Sequence, residues 1–197
     1  MKEKIVVAII IFGAAALLMG SSCRRLSAAH FLSAACDGDI EKARNLLELG
    51  VDVNATDGMG NSALTLAEGC KRDDAPTRVQ LVELLITKGA EVNHRERDGC
   101  TALMNAAGNG DTQVVNALLR NGASVNLADD EGETALMKAA AFSCSEETVT
   151  ALLSAGADLS ARDHKGRNAL ETFQSSYACP ESKVGNLLQI AGTKKAR

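Results

Sequence analysis

Gly99-Cys100-Thr101-Ala102-Leu103 and Gly132-Glu133-Thr134-Ala135-Leu136 are copies of one pattern: glycine, any residue, a small polar residue, alanine and leucine. Two more copies complete the set: Gly60-Asn61-Ser62-Ala63-Leu64 and Gly166-Arg167-Asn168-Ala169-Leu170. The intervals between the glycines are 39, 33 and 34 residues. Self-similarity at a period of about 20 to 50 residues is typical of a stacked-repeat solenoid. Function is therefore expected on a surface rather than in a catalytic cleft.

A second pattern recurs at the same intervals. Its copies are Gly50-Val51-Asp52-Val53-Asn54, Gly89-Ala90-Glu91-Val92-Asn93, Gly122-Ala123-Ser124-Val125-Asn126 and Gly156-Ala157-Asp158-Leu159-Ser160. Each glycine follows an apolar helical stretch, where the left-handed conformation can end a helix. The helices before them are short and rich in alanine, so only stacking of neighbouring units creates a continuous core.

Together, the two patterns resemble the ankyrin-repeat family over about residues 26–192. The resemblance implies an all-α solenoid of helix-turn-helix units joined by short β-hairpin or turn fingers. We place a repeat domain at 30–192, with an N-terminal cap at about 26–58 and a C-terminal cap at about 166–192. The full repeats between the caps are about 59–98, 99–131 and 132–165, and a basic tail follows at 193–197.

One departure from the family pattern concerns the motif Thr-Pro-Leu-His. Alanine replaces its proline in all four copies, and Thr65, Met104, Met137 and Glu171 stand where the histidine would. Because that histidine ties neighbouring turns in the family, its loss predicts a less stable stack unless other contacts brace it. Met104 and Met137 could form a binding stripe, but packing between repeats is favoured, since methionine fills irregular gaps well.

The N-terminus has the form of an export signal. A basic start precedes an uncharged stretch from Ile5 to Met19, and small residues follow it, which indicates a signal peptide at 1–22. Cys23 resembles the acylated cysteine of bacterial lipoproteins and opens a short linker at 23–29, although Gly20 stands where that family prefers leucine. Plain cleavage after Ser22 and an uncleaved anchor are the alternatives, so membrane contact is expected only through this end.

Four cysteines fall in loops between first and second helices of adjacent units: Cys36 and Cys70, then Cys144 and Cys179. Neighbouring repeats lie roughly 10 Å apart, whereas bridged Cα atoms must approach within about 7 Å. Longer loops at these units would close that gap. We predict Cys36–Cys70 and Cys144–Cys179 disulfides, each adding about 2–4 kcal/mol, and the alternative is that all four are free thiols.

Composition and motifs argue against several classes of function. The net charge is −4, and removing residues 1–22 makes it −5. We find no basic stripe and few aromatic residues, so no nucleic-acid partner is expected. The histidines His30, His94 and His164 lack metal-ligand spacing. The glycosylation sequon at Asn54 coincides with a recurrent hairpin residue, for which a structural role is favoured. We therefore expect that the protein has no catalytic residue, binds no metal or cofactor, and is not an enzyme.

In ankyrin proteins, partners lie against the fingertips and the ends of the first helices, and the resemblance carries these positions over unit by unit. The expected partner-binding residues are Met59, Arg97, Asp98, Asp130, Glu131, Glu133, Phe142, His164, Lys165 and Arg167. Acidic residues at 129–133 precede basic residues at 162–167, which predicts a dipolar face. Phe142 is either an interface anchor or packs under the Cys144 loop.

The function expected from these features is a non-catalytic, protein-binding scaffold in an exported compartment. In a bacterium, this compartment is the periplasm, with the protein either free or tethered to a membrane. The partner would be a specific protein, such as a toxin or another exported enzyme. The alternatives are a structural stabiliser of the envelope with weak, multiple contacts, and an inhibitor or immunity protein for an exported toxin or enzyme.

Overall fold

The computed structural model describes residues 21–67, 75–176 and 183–195. These residues form ten α-helices, and one of the helices continues into a π-helical turn. In chain order they are α1 Ser21–Cys36, α2 Ile40–Glu48, α3 Ala63–Ala67, α4 Ala75–Thr87, α5 Ala102–Asn109, α6 Thr112–Arg120, α7 Ala135–Lys138 with the π-turn Ala139–Ser143, α8 Glu146–Ser154, α9 Ala169–Ser175 and α10 Val184–Lys195.

The helices stack in two layers. The first helices of the units, α1, α3, α5, α7 and α9, pack on one another in that order, and the second helices α2, α4, α6, α8 and α10 do the same. Each first helix also packs on the second helix of its own unit. The predicted all-α stack of helix-turn-helix units is confirmed.

One continuous core runs between the layers. Small residues of the first helices, such as Ala106 and Ala139, are fully buried, and so are Val114 and Leu118 of a second helix. Met104 and Met137 are also buried, which confirms that they pack between repeats. Because each unit covers its neighbour, the stack buries apolar surface that no single unit could bury alone.

The first recurrent pattern encodes the start of each first helix. Thr101 and Thr134 are N-caps whose side chains accept hydrogen bonds from the backbone N–H groups of Met104 and Met137. Asn168 caps α9 in the same way and forms a capping box with Glu171. The polar third residue of the pattern therefore caps a helix, and the alanine and leucine that follow enter the core.

The second pattern encodes the end of each second helix. Gly122 has φ +86°, and its N–H donates to the Leu119 carbonyl while the N–H of Ala123 donates to that of Leu118. A residue with a Cβ atom is strained in this left-handed turn, which explains the glycine. The chain then leaves the helix toward the fingertip.

The asparagine that ends this pattern ties each unit to the next one. Asn93 Nδ2 donates to the carbonyl of Gly122 at 3.2 Å, and its Oδ1 accepts from the N–H of Ser124 at 2.8 Å. Asn54 and Asn126 make the same two bonds one unit earlier and one unit later. The fourth copy has Ser160 in this position. These asparagine hydrogen bonds are among the contacts that brace a stack without the family's histidine, and they confirm the structural role of Asn54.

The π-turn Ala139–Ser143 is a feature that the sequence analysis did not predict. Its C-cap is Cys144, whose φ of +55° is the only positive φ of a non-glycine residue in the described part of the chain. The corresponding helix of the preceding unit, α5, is a regular α-helix that ends at Asn109 and has the left-handed Gly110 as its C-cap. One extra residue between the helix start and this left-handed position accounts for the wider turn.

Candidate partner-binding surface

Four turns, which we call the fingertips, lie between each second helix and the next first helix, at 57–61, 96–100, 129–133 and 163–167. Direct hydrogen bonds join successive fingertips into one row. The N–H of Asp130 donates to the carbonyl of Asp98 at 2.9 Å, and the N–H of His164 donates to that of Glu131 at 2.9 Å. Arg97 Nη2 reaches the Gly58 carbonyl of the first fingertip at 2.9 Å. The row is thus fixed mainly by backbone geometry.

Three of the fingertips are closed by an aspartate at the same position, three residues before the glycine. In the third fingertip, Oδ1 of Asp129 accepts from the N–H groups of Glu131 and Glu133, and Asp57 and Asp163 make equivalent bonds. Burial alone would raise the pKa of Asp129, but hydrogen bonds from Lys138 and from these N–H groups outweigh it, so its pKa lies below the ordinary value. The turns are therefore held closed by ionised carboxylates.

The second fingertip departs from this arrangement because glutamate occupies the aspartate position. Its turn is instead supported by Asp98, whose Oδ1 accepts from the Cys100 N–H at 3.0 Å. Glu96 points toward the first helices, where its Oε1 accepts from Asn105 Nδ2 at 3.4 Å. Burial raises the pKa of Glu96, and the nearby Asp98 charge adds to that effect.

A cluster of five charged residues links the third and fourth fingertips, and we call it the charge cluster. Its members are Asp129, Glu133, Lys138, Asp163 and Arg167. Lys138 Nζ lies 2.7 Å from both Asp129 Oδ2 and Glu133 Oε2, and Arg167 Nη2 lies 2.7 Å from Asp163 Oδ2 and 3.6 Å from Glu133 Oε1. These contacts are a second brace between repeats.

The charge cluster changes the expected dipolar face. Glu133 and Arg167 were predicted to bind a partner, and Asp129 was predicted to belong to the dipolar face. In the structure all three are engaged with one another or with Lys138 and Asp163. The reason is that their turns stack closely enough for opposite charges to meet inside the row. Sequence reasoning missed Lys138 and Asp163. The signal for Asp163 was present, since an acidic residue stands three positions before each glycine of the first pattern.

Other expected binding residues lie on the outer edge of the fingertips. Met59 is 65% exposed. Exposed with it are Arg97, Asp98, Asp130, Glu131, His164 and Lys165. Asp130 makes one exposed ion pair, with Arg95 at 3.3 Å. The row therefore offers a partner an apolar side chain at one end and charges of both signs along the rest.

Phe142 lies at the end of the first-helix layer and is 62% exposed. The alternative that it packs under the Cys144 loop does not hold. Its backbone belongs to the π-turn, whose alanines Ala139 to Ala141 are buried. Phe142 is therefore an exposed aromatic residue that directly follows three buried alanines.

The cysteines behave differently from one another. Cys36 is a free thiol at the last position of α1, so the predicted Cys36–Cys70 bond is not formed. A thiol held within a helix cannot move far enough to close the roughly 10 Å between repeats. Cys144 is disulfide-bonded. Cys70 and Cys179 lie outside the described residues, so the pairing of Cys144 with Cys179 stays a prediction.

Cys100 is a second free thiol and is buried between fingertips. Its Sγ lies 3.7 Å from Asp129 Oδ2, to which it donates a weak hydrogen bond. Burial raises the pKa of Cys100 to about 12, and the nearby carboxylates of Asp98 and Asp129 act in the same direction, against the charge of Lys138. The thiol is therefore protonated and unreactive at neutral pH.

Most of the predicted signal peptide, at 1–20, lies outside the described residues. Cys23 lies in the first turn of α1, and its acylation stays a prediction. In the parts of the chain that the structure describes, no helix has the length and apolar character to cross a bilayer.

Histidine and carboxylate side chains do not converge on a shared centre in the described parts of the chain, where no group of three or more potential metal ligands occurs. His94 is used structurally, because its Nε2 lies 2.8 Å from the Gly60 carbonyl. His30 and His164 are exposed.

Comparison with known proteins gives a consistent result. The family model described as ankyrin repeats (3 copies) matches residues 74–163. Over 68 residues, or 34% of the chain, it is 38% identical to YahD of Escherichia coli (strain K12), named as an ankyrin repeat protein, and covers 31% of it. Over 90 residues, or 45% of the chain, it is 42% identical to the probable E3 ubiquitin-protein ligase XBOS33 of Oryza sativa subsp. japonica, and covers 16% of it. The chain thus spans less than a third of either relative.

Proposed function

The chain belongs to the ankyrin-repeat family, and from this premise we propose that it is a non-catalytic scaffold that binds one specific partner protein in an exported compartment. Ankyrin repeats generally mediate protein–protein interaction. The fingertips and the layer of first helices form the proposed binding face.

The observation that carries this proposal is the row of fingertips. Hydrogen bonds between Asp98 and Asp130 and between Glu131 and His164 fix the row at the level of the backbone, while outer side chains such as Met59 and Lys165 stay exposed. A surface that is already ordered loses little conformational entropy on binding. The arrangement favours one well-defined partner over many weak contacts.

Two features support export. The basic and apolar stretch at 1–22 has the composition of a signal peptide, and Cys144 is disulfide-bonded. Disulfides persist mainly in oxidising compartments. We therefore propose an extracytoplasmic location, which is the periplasm if the source is bacterial, with attachment through the N-terminus if Cys23 is acylated.

The test is a crosslinked affinity capture from the native envelope with the full-length chain. A charge-swapped variant, Glu131→Lys with Lys165→Glu, alters two exposed fingertip residues and leaves the net charge unchanged. The matched control is Lys42→Glu with Glu48→Lys, because these residues are exposed on the cap helix α2. We expect one stoichiometric partner from the wild type and the control, and a reduced yield from the fingertip variant.

The alternatives give different results. Several substoichiometric proteins would indicate a structural stabiliser of the envelope rather than a specific scaffold. A stoichiometric partner that the control variant loses and the fingertip variant keeps would place the contact on the second helices and overturn the proposed face.

A further inference from the structure

We propose that Phe142 is the anchor of this binding face, that the π-turn Ala139–Ser143 presents it, and that the partner receives it in an apolar pocket edged by basic side chains. This inference rests on the proposed function and adds the chemistry of the contact.

The first argument is the geometry of the π-turn. Counted from the N-caps Thr101 and Thr134, Phe142 corresponds to Asn109 of the preceding unit, but the left-handed residue follows one position later, at Cys144 instead of Gly110. A regular helix like α5 therefore fits this place in the stack without the extra residue. π-turns are rare and occur frequently at functional sites.

The second argument is that the turn is held in place. Ser143 Oγ donates to the carbonyl of Ala139 at 2.9 Å, and Ser176 Oγ, from beyond α9, donates to that of Ala141 at 2.6 Å. Two backbone carbonyls of the widened turn thus have side-chain partners. Because these hydrogen bonds hold the backbone of the turn, Phe142 is presented at a fixed position. Such preorganisation lowers the cost of binding.

The third argument is the exposure itself. A phenylalanine that is 62% exposed contributes little apolar burial to folding, whereas the three alanines that precede it in the turn are buried. Asn109, at the corresponding place one unit earlier, is polar and exposed. Buried aromatic residues are prominent among the side chains that dominate binding energy, so the ring gains its burial only when a partner covers it.

The charges near the turn define the rim of the partner's pocket. Glu146 and Glu147 begin α8 directly after the turn, and Glu147 is exposed. Lys138 immediately precedes the turn, but its ammonium is engaged by Asp129 and Glu133 at 2.7 Å. Among the described residues that flank the turn in sequence, the charge left for a partner is therefore negative, which favours basic side chains opposite it.

The experiment measures the affinity of the purified full-length chain for the stoichiometric partner from the capture above. We expect Phe142→Ala to raise Kd by roughly 30-fold or more, as for an interface hot spot, and Phe142→Leu to recover part of the loss. The matched control is Ile190→Ala, because Ile190 of α10 is an exposed apolar residue as well, at 54%. This substitution should leave Kd unchanged. Glu146→Gln with Glu147→Gln should slow association and weaken its salt dependence.

A second variant tests the π-turn with the ring kept. Deleting Ala140 removes the extra residue, and thermal unfolding shows whether the stack is retained. We expect a loss of affinity close to that of Phe142→Ala, and no further loss when the two changes are combined. If the deletion unfolds the chain, the point variants decide the outcome.

Failure of the inference is distinguishable from failure of the proposed function. A partner whose Kd is unchanged by Phe142→Ala but raised by the fingertip charge swap overturns the anchor and leaves the scaffold standing. A capture without any stoichiometric partner overturns both.

Discussion

The ammonium of Lys138 lies 2.7 Å from Oδ2 of Asp129, whose side chain is only 3% exposed. The pair joins a first helix to the fingertip that precedes it. Lys138 directly follows Met137, which stands at the position of the family's histidine. Its position between repeats makes it a stabilising contact of the binding face rather than part of the contact with a partner.

Replacing Lys138 by methionine should lower the free energy of unfolding by about 2–3 kcal/mol, because it leaves the buried Asp129 carboxylate without its counter-charge. Urea denaturation of the full-length chain measures the change. The matched control is Arg120→Met. Arg120 Nη2 lies 3.9 Å from Glu83 Oε1 and both side chains are more than half exposed, so its loss should cost less than about 0.5 kcal/mol. Equal losses in the two variants would contradict a bracing role.

Glu96→Gln should stabilise the protein at pH 7. Burial raises the pKa of Glu96 above its ordinary value, so the folded state binds the proton more tightly than the unfolded state. Glu96 therefore contributes most to stability below its ordinary pKa of about 4.3, and that contribution is lost as the pH rises through the raised folded pKa. Glutamine removes this dependence while keeping an acceptor for Asn105. Urea titrations at several pH values should show the advantage of the variant shrinking from pH 7 toward pH 4.

Asp129→Asn should change the stability at pH 7 in the opposite direction to Glu96→Gln. The pKa of Asp129 is held below its ordinary value, so its contribution is present above that value and is lost as the pH falls through the folded pKa. The variant should be less stable than the wild type at pH 7, with the difference closing in acid. Differences that do not vary with pH in either variant would rule out both assignments.

Gly132→Ala should destabilise the chain more than Gly166→Ala. Both glycines have nearly the same conformation, with φ of +78° and +77°, so both substitutions carry a left-handed strain of about 1 kcal/mol. A Cβ atom at Gly132 would also lie 3.1 Å from the Cα of Asp163 and the backbone N of His164, whereas one at Gly166 meets nothing within 4 Å. We expect a loss of about 1 kcal/mol at Gly166 and about 2–3 kcal/mol at Gly132. Similar thermal unfolding of the two variants would mean that the fingertips can separate without cost.

Much of the fold could be predicted because each recurrent residue has one local task. Thr101 caps a helix, Gly122 ends one, and Asn93 bonds the next unit, and each task leaves the same residue type at the same interval. The register of the stack follows from such repetition.

The binding face was predictable only in part, because it depends on distances between units. The sequence shows that acidic residues precede basic ones by one repeat, but it does not show whether Glu133 and Arg167 point outward or meet. Likewise, the interval of 34 residues between Gly132 and Gly166 reveals one extra residue without locating it. Its position in the π-turn depends on the packing of the buried alanines, for which a single sequence has no local signal.

The cysteines should differ in reactivity in a way that tests both the buried thiol and the disulfide. In the folded protein, iodoacetamide should label Cys36, which is only partly buried. Cys100 should resist labelling, because burial excludes the reagent and raises the pKa of its thiol to about 12; unfolding in urea should expose it.

Cys144 should remain unlabelled in urea until a reductant is added, because it is disulfide-bonded. Peptide mapping without reduction should show it linked to Cys179, and Cys144→Ser should leave Cys179 open to labelling. If Cys144 were labelled without reductant in protein recovered from an oxidising compartment, the disulfide and its support for export would both fail.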